Sequence, residues 1–101
     1  MESTMNYGVF TPFLEDSNVK RIDYNGSNVW VTTETGKHYK PDVTVNKEFE
    51  EDFTNQVKTL SNENWDITNP ILEVIVNNIT IIIMHRCITS DNSVNIIIKK
   101  N

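Results

Sequence analysis

Apolar residues recur every three or four positions in one segment of the chain, and this period predicts a helix. Phe49, Phe53, Val57 and Leu60 are four, four and three positions apart, a spacing that places their side chains on one helical face. Asn46, just before this segment, is a plausible N-cap residue. We therefore predict a helix over residues 46–60.

The segment before this helix has the short β-branched and aromatic runs that are typical of strands. The predicted strands open at Val19, span Val29 to Thr33, and lie near His38 to Lys40. Asn25-Gly26 between the first two is a strong hairpin signal, and Pro41 ends the third. These features predict an antiparallel meander.

Three strand-like segments follow the helix, separated by turns rich in Asn, Ser and Asp. They are Ile71 to Val76, Ile79 to His85 and Val94 to Lys99. The polar connection before them carries Trp65 and Ile67, which we predict to be apolar anchors.

Isoleucine occupies three consecutive positions in each of the last two predicted strands, at 81–83 and 96–98. Such runs break the alternation expected of a strand with one face in water. Both faces of this hairpin therefore need cover. Helices of the chain can cover one face, and the other must meet a terminal segment, a second domain or another subunit.

Together these segments predict an α+β fold, in which an antiparallel β-sheet of about five to six strands packs with one long and one or two short helices. The short apolar helical face near the N-terminus would comprise Tyr7, Val9, Phe10, Phe13 and Leu14. A chain of 101 residues fits one domain with a single core. We predict one domain over residues 1–101.

The composition narrows the possible partners and surroundings. A net charge of −5 argues against direct nucleic-acid binding, which needs clustered Lys and Arg, and the basic residues here are scattered or terminal. One cysteine excludes an intramolecular disulfide and favours a reducing, cytoplasmic location. No apolar run approaches the roughly 18 residues of a membrane span, so no membrane insertion is predicted.

Few side chains in this sequence are spaced for chemistry. His85 and Cys87 would share a strand face as possible metal ligands, but no third ligand has suitable spacing, so we predict no metal site and interpret them as a semi-buried strand pair. The acidic cluster at the predicted helix start is interpreted as a solvated face that suits the helix dipole. It consists of Glu48, Glu50, Glu51 and Asp52.

Aromatic residues offer a recognition surface, although strand and core packing explains the same residues. They are Trp30, Tyr24, Tyr39 and Trp65. As interface candidates we single out Trp30, Tyr24, Ile82 and Ile97. The chain contains no phosphate-binding loop, dinucleotide fingerprint or nucleophile elbow, so it is predicted not to be an enzyme by itself, with no catalytic residue and no cofactor of its own.

A series of short motifs resembles the N-terminal domain of the hexameric traffic ATPases of type II and type IV secretion and conjugation, close to those of Gram-positive mobile elements. The motifs, in chain order, are "LEDSNVKRIDYNG", "VWV", the 46–60 helix, "NPILEV", "MHRCIT" and "VNIIIKK". Their order and spacing carry the resemblance, which covers about residues 10–100.

The resemblance implies a RecA-like motor domain after Lys100, with ATP and Mg²⁺ bound by the full-length protein. Ring contacts between copies, and a location peripheral to a membrane secretion complex, are also implied. Family members place an arginine at the start of the strand that here is Ile79 to His85, where this chain has Asn78, Ile79 or Thr80. A second family arginine falls on Lys99, which keeps the charge but not the bidentate fork. Lys99 is the one nucleotide-phosphate contact that the resemblance carries over.

Two functions follow from these observations. The first is a non-catalytic assembly and nucleotide-gating domain of a secretion or conjugation ATPase, whose partners are further copies or a RecA-like motor domain. The second is a stand-alone acidic binding protein, encoded by a phage or mobile element, that blocks a host machine much as anti-CRISPR proteins do. The acidic charge, the lost arginine and the initial Met1 favour the second.

Overall fold

The computed structural model describes residues 5–90 and 92–101; residues 1–4, with Met1, and residue 91, all within the predicted domain 1–101, lie outside them. The strands are β1 (Val19–Tyr24), β2 (Val29–Thr33), β3 (His38–Tyr39), β4 (Ile71–Val76), β5 (Ile79–Met84) and β6 (Asn95–Lys100). The α-helices are α1 (Thr11–Glu15), which a 3₁₀ turn at Gly8–Phe10 precedes, and α2 (Lys47–Ser61). The predicted α+β class is confirmed.

The six strands form one antiparallel sheet in the order β3-β2-β1-β6-β5-β4. Two meanders, β1 to β3 and β4 to β6, meet where β1 pairs with β6, with Ile22 opposite Ile98. The first and last strands of the chain are thus neighbours at the centre of the sheet. This long-range pairing brings together side chains that are far apart in sequence.

A β-bulge explains the three-residue spacing of Val19 and Ile22, which a regular strand would direct to opposite faces. The register between β1 and β2 shifts between Val19 and Arg21, and a bulge inserts one extra residue of this kind. Val19 and Ile22 are therefore both buried. Lys20 stays exposed at the bulge.

Helix α2 begins after its predicted N-cap, Asn46, and ends at Ser61, one residue beyond the predicted range. The Asn46 side chain accepts a hydrogen bond from the Phe49 backbone N–H at 2.7 Å, which satisfies one of the free donors at a helix start. Its C-cap residue is Asn62, whose φ of 56° is left-handed. Phe53 and Val57 are fully buried against the sheet, so the predicted helix is confirmed with its apolar face inward.

The N-terminal turns close one end of the core against α2. The rings of Phe10, Phe49 and Phe53 pack together with centroids 5.6 to 5.8 Å apart. Gly8 has a φ of +52°, and a Cβ there would lie 2.3 Å from the Phe49 ring. Glycine is therefore required at this position for conformation and for space.

One of the two predicted anchors in the connection between α2 and β4 is wrong. Ile67 was expected to be an anchor but is 76% exposed, because Asp66 accepts hydrogen bonds from the backbone N–H groups of Thr68 and Asn69 in a tight turn with Ile67 at its tip. Trp65 does anchor the connection, since its Nε1–H donates to the Pro70 carbonyl at 2.9 Å.

Glu50 was expected on the solvated acidic face but is buried. It lies three and seven positions before Phe53 and Val57, which places it on the same helical stripe as the core residues. Glu48, Glu51 and Asp52 are exposed, in agreement with the prediction.

Strand β5 ends at Met84, one residue before its predicted end. His85 instead caps the 3₁₀ turn Arg86–Ile88, and its Nδ1 accepts from the Cys87 N–H at 3.2 Å. The expectation of a strand pair at His85 and Cys87 is therefore wrong. The turn forms because a side-chain acceptor competes locally with the sheet for the backbone donor.

Candidate functional site

The two faces of the sheet differ in what covers them. Side chains on one face, such as Ile22, Ile81 and Ile98, are buried in the core that includes Phe53 and Val57 of α2. We call the other face the open face. Its side chains, inferred from strand alternation and register, are Arg21, Asp23, Trp30, Thr32, His38, Ile71, Glu73, Ile75, Thr80, Ile82, Met84, Asn95, Ile97 and Lys99.

One end of the open face is basic. A cavity of about 550 Å³ is lined there by Lys20, Arg21, Lys99 and Lys100, together with Asp23 and His38. These four cations are among only nine Lys and Arg residues in the chain. The basic residues were expected to be scattered or terminal, and the pair Lys99-Lys100 is indeed terminal, but the pairing of β1 with β6 brings it beside Lys20 and Arg21. We call this cavity the basic cavity.

An ion pair lies within the basic cavity. Arg21 Nε is 3.0 Å from both carboxylate oxygens of Asp23, and its Nη2 is 2.9 Å from Oδ1. The hydrogen bond to Asp23 raises the pKa of Arg21, burial opposes this, and the charge of Asp23 reinforces it. Arg21 also lies directly opposite Lys99 in the β1–β6 register, so two cations face each other across the strands.

The sequence-predicted phosphate contact, Lys99, lines this cavity. The resemblance also implies Mg²⁺ and ATP, and Mg²⁺ binds through one or two carboxylates plus phosphates. Asp23 carries the one side-chain carboxylate among the described lining residues, and Arg21 already holds it. The cavity therefore does not fit a magnesium site, and no group of three or more His, Cys, Asp or Glu in the described residues could hold a metal ion.

Aromatic side chains border the basic cavity. Trp30 and His38 stack with ring centroids 4.8 Å apart and planes 2° from parallel, and His38 Nδ1 lies 3.0 Å from Thr32 Oγ1. A smaller cavity of about 310 Å³ follows, lined by Trp30, His38, Met84 and Ile97 among others. Trp30 and Ile97, two of the predicted interface residues, thus lie on the open face.

The other end of the open face is mostly apolar, with the exposed Glu73 between Ile71 and Ile75. Ile71 and Ile75 on β4 are 51% and 69% exposed, and they flank Ile82 and Met84 of β5 and Ile97 of β6 in the register. We call these five residues the apolar end. Ile82, the third predicted interface residue, is here and is partly exposed.

Strand β4 forms one edge of the sheet, and within residues 5–90 and 92–101 its outer backbone groups pair with no other strand. The His85 N–H donates to the Pro70 carbonyl at 2.7 Å, and bonded and non-bonded pairs alternate along an antiparallel ladder. Leu72, Val74 and Val76 therefore bond β5, and the N–H and C=O groups of residues 71, 73 and 75 point outward. An unpaired, largely apolar edge of this kind readily accepts another strand.

The remaining predicted interface residue, Tyr24, lies on the covered face. Only 2% of it is exposed, and its hydroxyl donates a 2.5 Å hydrogen bond to Glu50 Oε2. Lys47 Nζ lies 3.4 Å from the same oxygen. Burial first, and then the Glu50 carboxylate, raise the pKa of Tyr24 well above its ordinary value. Tyr24 is thus a core residue that satisfies a buried carboxylate.

Local sequence signals for the basic cavity were present but incomplete. Lys20-Arg21 and Lys99-Lys100 are visible as basic pairs, but only the contact between β1 and β6 shows that they meet.

No helix among the described residues is long and apolar enough to cross a membrane.

Comparison with known proteins gives a structural likeness. No protein-family profile matches the sequence, and no curated protein sequence matches it. Among solved structures, the VirB11 ATPase of the Brucella suis type IV secretion system, determined in complex with sulphate, is similar with a TM-score of 0.74 and 15% identity. The likeness covers 91% of this chain and 28% of the VirB11 chain. At this identity it shows the fold, and it supports the predicted fold of a traffic-ATPase N-terminal domain.

Proposed function

We propose that this chain is a non-catalytic assembly and nucleotide-gating domain of a secretion or conjugation ATPase of the Gram-positive mobile-element type. One observation carries the proposal: a fold shared with part of a VirB11 ATPase leaves one face of its sheet open, with an exposed apolar end. Patches of this kind on a soluble surface mark contact sites.

The apolar end is the proposed contact surface with a second copy. Two β4 edges can pair antiparallel about a two-fold axis near Val74, because the outward groups of residues 73 and 75 then bond each other. Glu73 would lie opposite Ile75 of the second copy, which avoids opposing like charges. The contact would extend the sheet and bring two apolar ends side by side.

Nucleotide gating is assigned to the basic cavity. Lys99 lines it and supplies a compact positive charge for a phosphate group. No bond is made or broken by the chain in this role, so the motor domain implied by the resemblance would carry out hydrolysis.

The assembly role is tested by sedimentation velocity over a range of protein concentrations. We expect the wild type to self-associate and Ile75→Lys to remain monomeric, because a buried charge at the contact is costly. Ile67→Lys is the matched control, since Ile67 is as exposed as Ile75 but lies in the connection between α2 and β4. A wild type that stays monomeric at every concentration would contradict this role.

Gating is tested in the same experiment with ATP added. We expect ATP to change the self-association of the wild type and not that of Lys99→Gln. An identical response of the two proteins would exclude Lys99 as the phosphate contact, without bearing on the contact through β4.

The exposed acidic start of α2 favours a second candidate function, a stand-alone binding protein for a basic surface of a host machine. Glu48, Glu51 and Asp52 are exposed there and could steer such a partner. Capture of one host protein by the wild type, lost in the triple variant Glu48→Lys, Glu51→Lys, Asp52→Lys, would support this function. Equal capture by both proteins would count against it.

A further inference from the structure

The basic cavity concentrates positive charge on an acidic chain. Lys20, Arg21, Lys99 and Lys100 line it, although the net charge of the whole chain is −5. Like charges directly opposite on neighbouring strands are destabilising, and Arg21 lies directly opposite Lys99. Such an arrangement costs stability unless an anion compensates it.

Asp23 supplies part of that compensation. Its carboxylate receives hydrogen bonds from Nε and Nη2 of Arg21 at 2.9 to 3.0 Å, which is the bidentate geometry that guanidinium also offers to phosphate. The two side chains are only partly exposed, at 40% and 30%. Asp23 is therefore bound to Arg21, the side chain in this cavity that is best suited to hold a phosphate.

The other cations are placed unequally. Lys100 Nζ donates to the Asp16 carbonyl at 2.6 Å, so one of its donors is engaged by the backbone that precedes β1. Lys20 is exposed at the β-bulge, and Lys99 extends from β6 beside Arg21. With Asp23 bound to Arg21, the cavity still has an excess of positive charge.

We propose that the basic cavity binds a polyphosphate chain through Arg21, Lys20 and Lys99, and that Asp23 is a built-in competitor that the phosphate must displace from Arg21. The inference rests on the proposed function in taking Lys99 as a phosphate contact. It adds the guanidinium of Arg21 on β1 as a second contact, and Asp23 as the group that regulates access to Arg21. A volume of about 550 Å³ lies within the range of small-ligand sites.

The competition sets a threshold for binding. A singly charged anion offers Arg21 no more than the Asp23 carboxylate does, and it would have to break two short hydrogen bonds. A triphosphate brings several charges to Arg21, Lys20 and Lys99 together. The cavity therefore selects chains of phosphates over single carboxylates, and the resulting affinity falls as salt rises.

The first test is calorimetric titration of the protein with inorganic tripolyphosphate. We expect Asp23→Asn to bind about tenfold more tightly than the wild type, because the carboxylate no longer competes for a charge-assisted pair. Arg21→Gln should bind at least tenfold more weakly, and Arg21→Lys should also weaken binding because it keeps the charge and loses the fork. Lys47→Gln on α2 is the charge-matched control.

The double variant Arg21→Gln, Asp23→Asn isolates the competition. We expect the gain from Asp23→Asn to vanish when Arg21 is absent, which is the coupling that a double-mutant cycle measures. Thermal unfolding of each variant identifies any loss of folding, and Arg21→Lys retains the ion pair should Arg21→Gln unfold. Equal affinity of the wild type and Asp23→Asn, or an Arg21 variant that binds like Lys47→Gln, would overturn the proposal.

Two further experiments distinguish the phosphate chain from the nucleoside as the ligand, and the anion site from the β4 contact. If ATP binds as tightly as tripolyphosphate, the site recognises the phosphate chain alone. If ATP binds more tightly, the protein also contacts the nucleoside. If both bind more weakly than inorganic sulfate, the proposal is overturned. At protein concentrations where the wild type is monomeric, the variant Ile75→Lys should bind tripolyphosphate like the wild type. The anion site and the β4 contact therefore fail or succeed independently.

Discussion

At the scale of single residues, two buried tyrosine hydroxyls meet opposite surroundings. The Tyr24 hydroxyl donates to the buried Glu50 carboxylate. The Tyr7 hydroxyl is buried without a hydrogen-bond partner among the described residues. Since leaving a buried acceptor unsatisfied costs more than removing an unpaired group, the same chemical change at the two sites should have different effects.

We expect Tyr24→Phe to lower the free energy of unfolding by about 1–3 kcal/mol, because Glu50 loses its closest donor. Tyr7→Phe should leave stability unchanged or raise it slightly. Urea denaturation of the two variants beside the wild type measures both effects. Equal losses at the two sites would show that the hydrogen bond to Glu50 contributes nothing specific.

The same tyrosine predicts how stability depends on alkaline pH. The pKa of Tyr24 is raised on folding, by burial first and then by Glu50, so the folded state holds this proton more tightly than the unfolded chain. Its contribution is fully present below the ordinary tyrosine pKa of about 10 and is lost as pH rises from there toward the folded value. Above pH 10, the melting temperature of Tyr24→Phe should therefore fall less steeply with rising pH than that of the wild type.

Burial also raises the pKa of Tyr7. Stability is therefore lost at Tyr7 as well when pH rises through the same range. The double variant Tyr7→Phe, Tyr24→Phe should therefore have the flattest alkaline profile. A profile in Tyr24→Phe as steep as that of the wild type would mean that other groups control alkaline unfolding.

At the scale of elements, local signals predicted the parts of the fold that depend on local contacts. The period of Phe49, Phe53 and Val57 predicted α2, and Asn25-Gly26 predicted the first hairpin. Asn25 Oδ1 indeed accepts from two backbone N–H groups of its own loop. The 3₁₀ turn after β5 was not predicted: its backbone hydrogen bonds, from Ile88 to His85 and from Thr89 to Arg86, form beside the local side-chain contact of His85 with the Cys87 N–H.

Substitution of two glycines in turns distinguishes the cost of backbone strain from the cost of a steric clash. Gly26 and Gly36 have φ of +93° and +89°, but a Cβ at Gly26 would lie 2.4 Å from Ser93 Cβ and one at Gly36 would meet nothing within 4 Å. We expect Gly36→Ala to cost about 1–2 kcal/mol from its conformation alone, and Gly26→Ala to cost more. Chemical denaturation of both variants tests this order, and the reverse order would contradict the loop packing against Ser93.

At the scale of the whole molecule, the isoleucine runs predicted that both faces of the β5–β6 hairpin need cover, and the helices of the described residues cover one of them. Ile98 is 1% exposed, and its neighbour Ile97 lies partly exposed on the open face. Which residue faced the core could not be predicted from a run of identical side chains. The basic cavity was likewise hidden, because it requires the β1–β6 pairing.

Alanine substitution distinguishes the two faces. We expect Ile98→Ala to destabilise the isolated monomer by about 2–5 kcal/mol, since it opens a cavity in the core, and Ile97→Ala to cost much less. Denaturation at low protein concentration, where any self-association is minimal, is the measurement. A comparable loss at Ile97 would mean that the open face is covered within the monomer.

The central pairing of β1 with β6 has a mechanical consequence. Because the strands are antiparallel and Arg21 faces Lys99, the start of one and the end of the other lie at the same end of the sheet. A pull between residues 19 and 100 would therefore load their hydrogen bonds one after another, as in a zipper, instead of all at once in shear. Tension on this pair would split the sheet between its two meanders at low force.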